Sequence, residues 1–231
     1  NTTSASATGQ AGTQALSLGA VLALNKISSE SVARIEFSNA FIHPLDLSGE
    51  RLPNVIGNGV QVRSVDQAAI RSEIDLGTSS ILSLNQKTST VTYGASTVAG
   101  SSLGIAGAIS YNEVRSGSSA TIRNASVEAL MGDIVVEAIE AAVIEARTTS
   151  ELAASSEDIS KKRVGSNRSL GVSGLVSINL VLNASSARLE DAIVVTFDTA
   201  PNSGDVRIES RNEALIEALT INAVDVSLAL K

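Results

Sequence analysis

The amino-acid sequence predicts an all-β fold, a parallel β-solenoid (β-helix) built from imperfect tandem repeats, on three observations. Three segments of the 231-residue chain align with one another without gaps over more than twenty positions. Behind each lies a turn dipeptide followed by a run that alternates in polarity. The composition, 43% hydrophobic but only 2% aromatic, suits a thin aliphatic core. The alternative architecture is a string of β-sandwich domains.

The repeated segments begin Leu16-Ser-Leu-Gly-Ala-Val-Leu-Ala-Leu-Asn25, Leu103-Gly-Ile-Ala-Gly-Ala-Ile-Ser-Tyr-Asn112 and Leu170-Gly-Val-Ser-Gly-Leu-Val-Ser-Ile-Asn179. Two positions past each Asn come Ile27, Val114 and Val181, and further on Ala33-Arg-Ile35, Ala120-Thr-Ile122 and Ala187-Arg-Leu189. Residues 1–25, 88–112 and 169–187 carry no charge. Stretches of that length invite a membrane-span reading, but Ser, Thr, Gly, Asn and Gln run through them, so that reading is rejected. They are expected to be strands covered on both faces.

The second block is Gly132-Asp-Ile-Val-Val-Glu137, matched by Gly204-Asp-Val-Arg-Ile-Glu209 and more weakly by Asn58-Gly-Val-Gln-Val62. Ala142-Val-Ile-Glu-Ala146 matches Ala214-Leu-Ile-Glu-Ala218, and Ala68-Ala-Ile70 is the first copy. Gly-Asp and Asn-Gly turn the chain into a strand. Val206, Ile208 and Ser210 then alternate with Arg207, Glu209 and Arg211. An amphipathic helix competes over Asp133–Glu151, where Ala, Glu, Ile and Leu are good helix formers; the clearer alternation of the matching third copy favours strand.

Equivalent Asn residues lie 87 and then 67 residues apart. Asn-to-turn distances are 33, 20 and 25, and turn to next Leu 45 and 38, so the strands keep their length while the connections vary. The repeats are drawn at about 1–74, 75–149 and 150–231, a single array cut from a longer polypeptide. A solenoid coil of on the order of 20 to 30 residues would give several coils per repeat. Sandwiches of roughly 100 residues usually centre on a buried Trp or Tyr, and this chain has no Trp and two Tyr.

Composition bounds the chemistry. No Cys excludes disulfide scaffolds, Cys-ligated zinc and thiol catalysis, and a single His excludes a multi-His metal site. A net charge of −7 argues against a nucleic-acid partner. Residues 1–15 carry neither a basic nor an apolar region of a secretory signal. No catalytic, cofactor-binding or metal-binding residue is assigned, and no cofactor is expected.

The pattern Leu-Gly-x-x-Gly-x-x-Ser-x-Asn, then Ala-x-Ile, Gly-Asp-Ile-x-Val and Ala-x-Ile-Glu-Ala resembles repeats of giant bacterial haemagglutinin- or adhesin-like surface proteins, over nearly the whole chain. The resemblance implies a structural stalk or adhesive segment of β-helical type, extracellular or on the bacterial cell surface, with no catalytic residues. Self-association end to end, an unidentified surface or matrix receptor and no membrane insertion follow as expectations. The first copy departs from the pattern with Ser17 in place of Gly104 and Gly171, and with an insertion over Phe41–Asn58. A β-helical polysaccharide-active enzyme or accessory domain and a self-assembling filament subunit are the alternatives.

Individual candidates read blandly. His43, beside Pro44 and near Asp46 and Glu50, is expected to be an exposed loop residue, because one imidazole lacks the partners of a metal or acid–base site. Lys161-Lys162-Arg163 reads as a solvated corner offsetting Glu157 and Asp158, too small for firm polyanion binding. Glu137, Glu140, Glu145 and Glu151 could suggest a glycosidase pair or a calcium ladder; neither the sugar platform nor a calcium-loop pattern accompanies them, so outward strand charges are expected. Thr88, Thr90 and Thr92 make one short row, not an array. Asn25, Asn112 and Asn179 could form an amide ladder between coils; their separation favours equivalent turns instead. The Asn-x-Ser/Thr matches at Asn1, Asn124, Asn167 and Asn183 matter only in a eukaryotic secretory context.

Overall fold

The computed structural model describes residues 2–9, 14–37, 53–84, 101–158, 168–197 and 204–230. The described residues form thirteen strands and no helix. The first coil consists of β2 (Gln14–Glu36), β3 (Val55–Gly57), β4 (Val60–Asp66) and β5 (Ala69–Leu84). The second is β6 (Ser101–Arg123), β7 (Ser126–Ala129), β8 (Ile134–Glu140) and β9 (Val143–Asp158). The third is β10 (Arg168–Glu190), β11 (Ile193–Thr196), β12 (Val206–Asn212) and β13 (Leu215–Leu230). Each strand pairs in parallel with its equivalent, in sheets ordered β2-β6-β10, β3-β7-β11, β4-β8-β12 and β1-β5-β9-β13, where β1 (Thr2–Gly9) occupies the place of the last strand of a coil. The chain is a parallel β-solenoid.

The register is the one that the repeats align to. Leu103 pairs with Leu16 and Leu170, Asn112 with Asn25 and Asn179, and Val143 with Ala69 and Leu215. Within Asp133–Glu151 the chain is strand from Ile134 on, either side of a two-residue corner at 141–142, so the helix alternative is resolved against. The Gly-Asp turn works as expected, because successive coils touch there. Val60 N and Ile134 N donate to the carbonyls of Asp133 and Asp205, and a Cβ on Gly204 would sit 2.1 Å from the carbonyl oxygen of Gly132. Asn124 and Asp191 occupy one equivalent corner with φ of 49° and 48°, a left-handed conformation that Asn and Asp tolerate.

Coil size departs from expectation. Each repeat is one coil, not several: paired residues are 67–87 apart in the β2-β6-β10 sheet and 72–74 apart in β4-β8-β12. The 23-residue strand β2 runs out, the short β3 closes the end, and β4 and β5 run back across its inner face. The coil is therefore a flattened loop, with a long side of about 75 Å at ~3.3 Å per residue.

The interior between the two long walls is banded. Val21, Ala23, Ile74, Leu76, Ala106, Ala108 and Leu152 form one apolar cluster. Ile70, Val114, Ala142, Ile144 and Ala146 form a second, and a third fills the closed end around Ile122, Val127, Ile134 and Val136. Polar layers separate them. Beside the first cluster lies the asparagine column, and beside the second lies a layer of Ser116, Asp66 and Glu140. The long strands β6 and β9 and the first part of β8 show the alternation of a half-buried wall, including the uncharged run at 103–112. These runs are not covered on both faces: Val176 is 49% exposed and Ile109 47%.

Candidate functional site

Several expected candidates lie outside the described residues: His43 with Pro44, Asp46 and Glu50; Lys161-Lys162-Arg163; Thr88, Thr90 and Thr92; Asn1 and Asn167; and Pro201. Among the described residues no group of three or more His, Cys, Asp or Glu side chains is placed to hold a metal ion. The described surface divides into a charged wall, an apolar wall and two open ends.

The charged wall is the outer face of β4-β8-β12 and β1-β5-β9-β13. In-register parallel stacking sets equivalent side chains about 4.8 Å apart, so identical charges repel; the second and third coils stack Glu137 on Glu209 and Glu145 on Glu217, and the first coil sets an Arg against each column. Arg63 opposes Glu137 at 2.8 Å, and Arg71 opposes Glu145 at 2.6 Å, each across one coil step. Arg211 reaches Glu137 at 3.4 Å and also clasps Glu209, which Arg207 flanks from the other side. Hydrogen bonds from Arg211 and Arg207 hold the Glu209 carboxyl down at about 2. Arg71 likewise lowers Glu145. Glu151 is exposed on the same face. Arg71, Glu73, Glu145, Arg147 and Glu217 line an open groove of about 310 Å³, drawn from all three coils. A hydrolytic general acid needs a carboxyl raised above its ordinary value, whereas Glu145 and Glu209 are lowered by their guanidinium partners.

Glu140 does not face outward. Its side chain is fully buried between the walls, with Oε1 accepting from Ser116 Oγ at 2.6 Å and Oε2 without a hydrogen-bond partner. Burial raises its pKa, opposed by the Ser116 bond and reinforced by the negative charge of Asp66, its neighbour in the next coil. Asp66 accepts from Ser29 Oγ at 2.9 Å and from Gly117 N at 3.4 Å. Sequence alternation could have revealed the misplacement, since Glu140 follows Ala138 and Val136 on the inward phase.

The asparagine column is also inside, and it is a ladder rather than a set of turns. Asn25 Nδ2 donates to Asn112 Oδ1 at 2.7 Å, and Asn112 Nδ2 donates to Asn179 Oδ1 at 2.7 Å. Asn25 also reaches Ser72 Oγ across the interior at 3.1 Å. The 67–87-residue separation places these residues in adjacent coils because a coil is that long.

The apolar wall is the outer face of β2-β6-β10 over its first half. Leu16, Leu18, Leu22 and Leu24 point outward, 62–67% exposed. They continue in register as Leu103, Ile105, Ile109 and Tyr111, then Leu170, Val172, Val176 and Ile178. The wall ends at Glu113, which Lys26, Arg115 and the Tyr111 hydroxyl surround.

No family model matches the chain, and neither the curated proteins nor the solved structures contain a match to it.

Proposed function

We propose that the chain is a structural segment, a stalk or adhesive portion, of a large extracellular bacterial surface protein, and that it performs no catalysis. The observation that carries this reading is the open end of the third coil. Val206, Ile208, Ile216 and Val224 are 42–48% exposed, although their partners one coil below, Ile134, Val136, Ile144 and Leu152, are 0–2% exposed. The core is uncovered at this end and bordered by strand edges, and such an edge takes up another strand of matching register. A further coil, whether joined covalently or supplied by another copy, would extend the asparagine ladder, the core and the charge columns together. In a stack of this kind stability grows nearly additively with each nearest-neighbour interface. The outer-wall pairs Arg63–Glu137, Arg71–Glu145 and Arg211–Glu137 join one coil to the next.

Electron microscopy and sedimentation of the isolated chain test this. Rods that lengthen with protein concentration are expected, with the lengthening abolished by Ile208→Lys and Val224→Lys at the open end. A compact, strictly monomeric globule would overturn the reading.

A further inference from the structure

The interior layer that holds Glu140 carries an unbalanced charge. Asp66 in the first coil and Glu140 in the second are register partners, 7% and 0% exposed. Across the interior stand Ser29 and Ser116, also register partners, each donating its hydroxyl to the carboxylate of its own coil at 2.9 and 2.6 Å. The layer therefore stacks two carboxylates one coil step apart, about 4.8 Å. No ion pair among the described residues reaches either of them. Glu140 Oε2 is buried without a hydrogen-bond partner, and Asp66 Oδ2 receives a long contact of 3.4 Å from Gly117 N.

Two like charges this close do not both persist in a dry interior without a counter-charge. The arrangement suits a hard cation. An ion midway between two coils lies about 2.4 Å from each, within the range of calcium–oxygen bonds. The two carboxylates and two hydroxyls supply about six oxygens, the lower end of calcium's coordination number, because a hydroxyl that donates to a carboxylate keeps lone pairs for an ion. The summed carboxylate charge matches a divalent ion. Magnesium, which keeps its waters and demands a near-ideal octahedron, suits a dry layer poorly.

The third coil closes the layer with a neutral pair. Asn183 and Asn212, register partners of Ser116 and Glu140, bond each other at 2.8 and 2.9 Å. The charge is thus confined to the first two coils. We propose that Asp66 and Glu140, with Ser29 and Ser116, bind one calcium ion between the first and second coils. The ion fastens β4 to β8, and through the two serines it ties both to the facing wall. In its absence a proton on Glu140 relieves the repulsion instead.

Equilibrium dialysis of the whole chain against radioactive calcium tests this, together with thermal unfolding in EDTA, calcium or magnesium at matched ionic strength. One ion per chain is expected, with a dissociation constant of about 0.1–1 mM. In about 10 mM calcium the melting temperature should rise by about 3–10 °C over its value in EDTA, and magnesium should produce less than half of that rise. Glu140→Gln and Asp66→Asn keep the shape of the layer, and each is expected to weaken calcium binding at least ~10-fold and to remove the rise. Glu140→Gln is nonetheless the more stable protein in EDTA. Glu145→Gln, on the outer wall beside Arg71, should bind calcium as the wild type does. A melting temperature indifferent to calcium would overturn the proposal and leave the pair neutralised by a proton. An equal rise with magnesium, or calcium binding that survives both interior substitutions, would also overturn it.

Discussion

Asn112 Oδ1 accepts from Asn25 while its Nδ2 donates to Asn179, so one buried amide bonds to both neighbouring coils. Asn112 is fully buried, and its carboxamide, both donor and acceptor, can bond the coil on either side in an endless chain when stacking is parallel and in register. A shift of one coil by a single residue would turn its Asn from the interior to the outer face and break the column, so the ladder fixes register as well as stability.

Asn112→Leu is expected to destabilise the chain by about 2–4 kcal/mol, because it strands the Asn25 donor and the Asn179 acceptor in the interior. Asn25→Ala, at the edge of the described ladder, breaks one ladder bond and should cost about 1 kcal/mol. Thermal and urea unfolding measure both, and equal effects would show that the ladder does not act as a unit.

Glu140→Gln is expected to stabilise the chain at pH 7, by about 1–3 kcal/mol, since an amide replaces a buried carboxylate with an unpartnered oxygen. The sign follows from the raised pKa. The folded state holds the proton more firmly than the unfolded state, so the stability linked to Glu140 is complete below the unfolded value. It is lost as pH rises through the folded one. Unfolding midpoints against pH for the wild type and the variant should therefore converge in acid and separate toward neutrality.

On the outer wall the sign reverses. Glu209 has a depressed pKa of about 2, so its contribution is present above the unfolded carboxylate value and is lost as pH falls toward 2. Arg71→Glu would set carboxylates at 71, 145 and 217 in one column. It should lower the melting temperature at low ionic strength, with most of the loss recovered at 1 M salt, where the screening length is about 3 Å.

Two glycines, Gly204 at the turn and Gly77 within β5, separate packing from propensity. Gly204→Ala would drive a Cβ into the Gly132 carbonyl and should cost about 1–3 kcal/mol. Gly77→Ala, with nothing within 4 Å, should be neutral or stabilise by about 0.5–1 kcal/mol. Differential scanning calorimetry of the two variants checks the contrast.

The strand register was legible because equivalent residues pair with equivalent residues: Leu103 with Leu170 and Val206 with Ile134 follow directly from the aligned repeats. Coil size was not. Period-two alternation reads the same whether a strand runs seven residues or twenty-three, and no Gly or Pro turn interrupts β2, β6 or β10 to mark its length. The inward phase of these strands was hidden for a steric reason. Burial tendencies place Leu inside and Ser outside, but Leu76 and Leu152 project from the facing wall. A Cβ at Gly104 would lie 2.7 Å from Leu152 Cδ1, and one at Gly19 would lie 3.2 Å from Leu76 Cδ1. Only small residues fit opposite, so the large aliphatics of β2 and β6 are turned out, and the apolar wall results.

The central claim, one coil per repeat, is tested most directly by the spacing of Asp75 and Thr149. The two are register partners on the charged wall, with Thr149 Oγ1 donating to Asp75 Oδ1 at 2.9 Å. The chain has no native Cys, so Asp75→Cys/Thr149→Cys introduces the only thiols. Neighbouring strands about 4.8 Å apart fall within disulfide reach. Mild oxidation of the dilute double variant should give an intramolecular disulfide in the folded monomer. If each repeat held three coils of 20–30 residues, the same positions would lie about 14 Å apart, and the thiols would stay free.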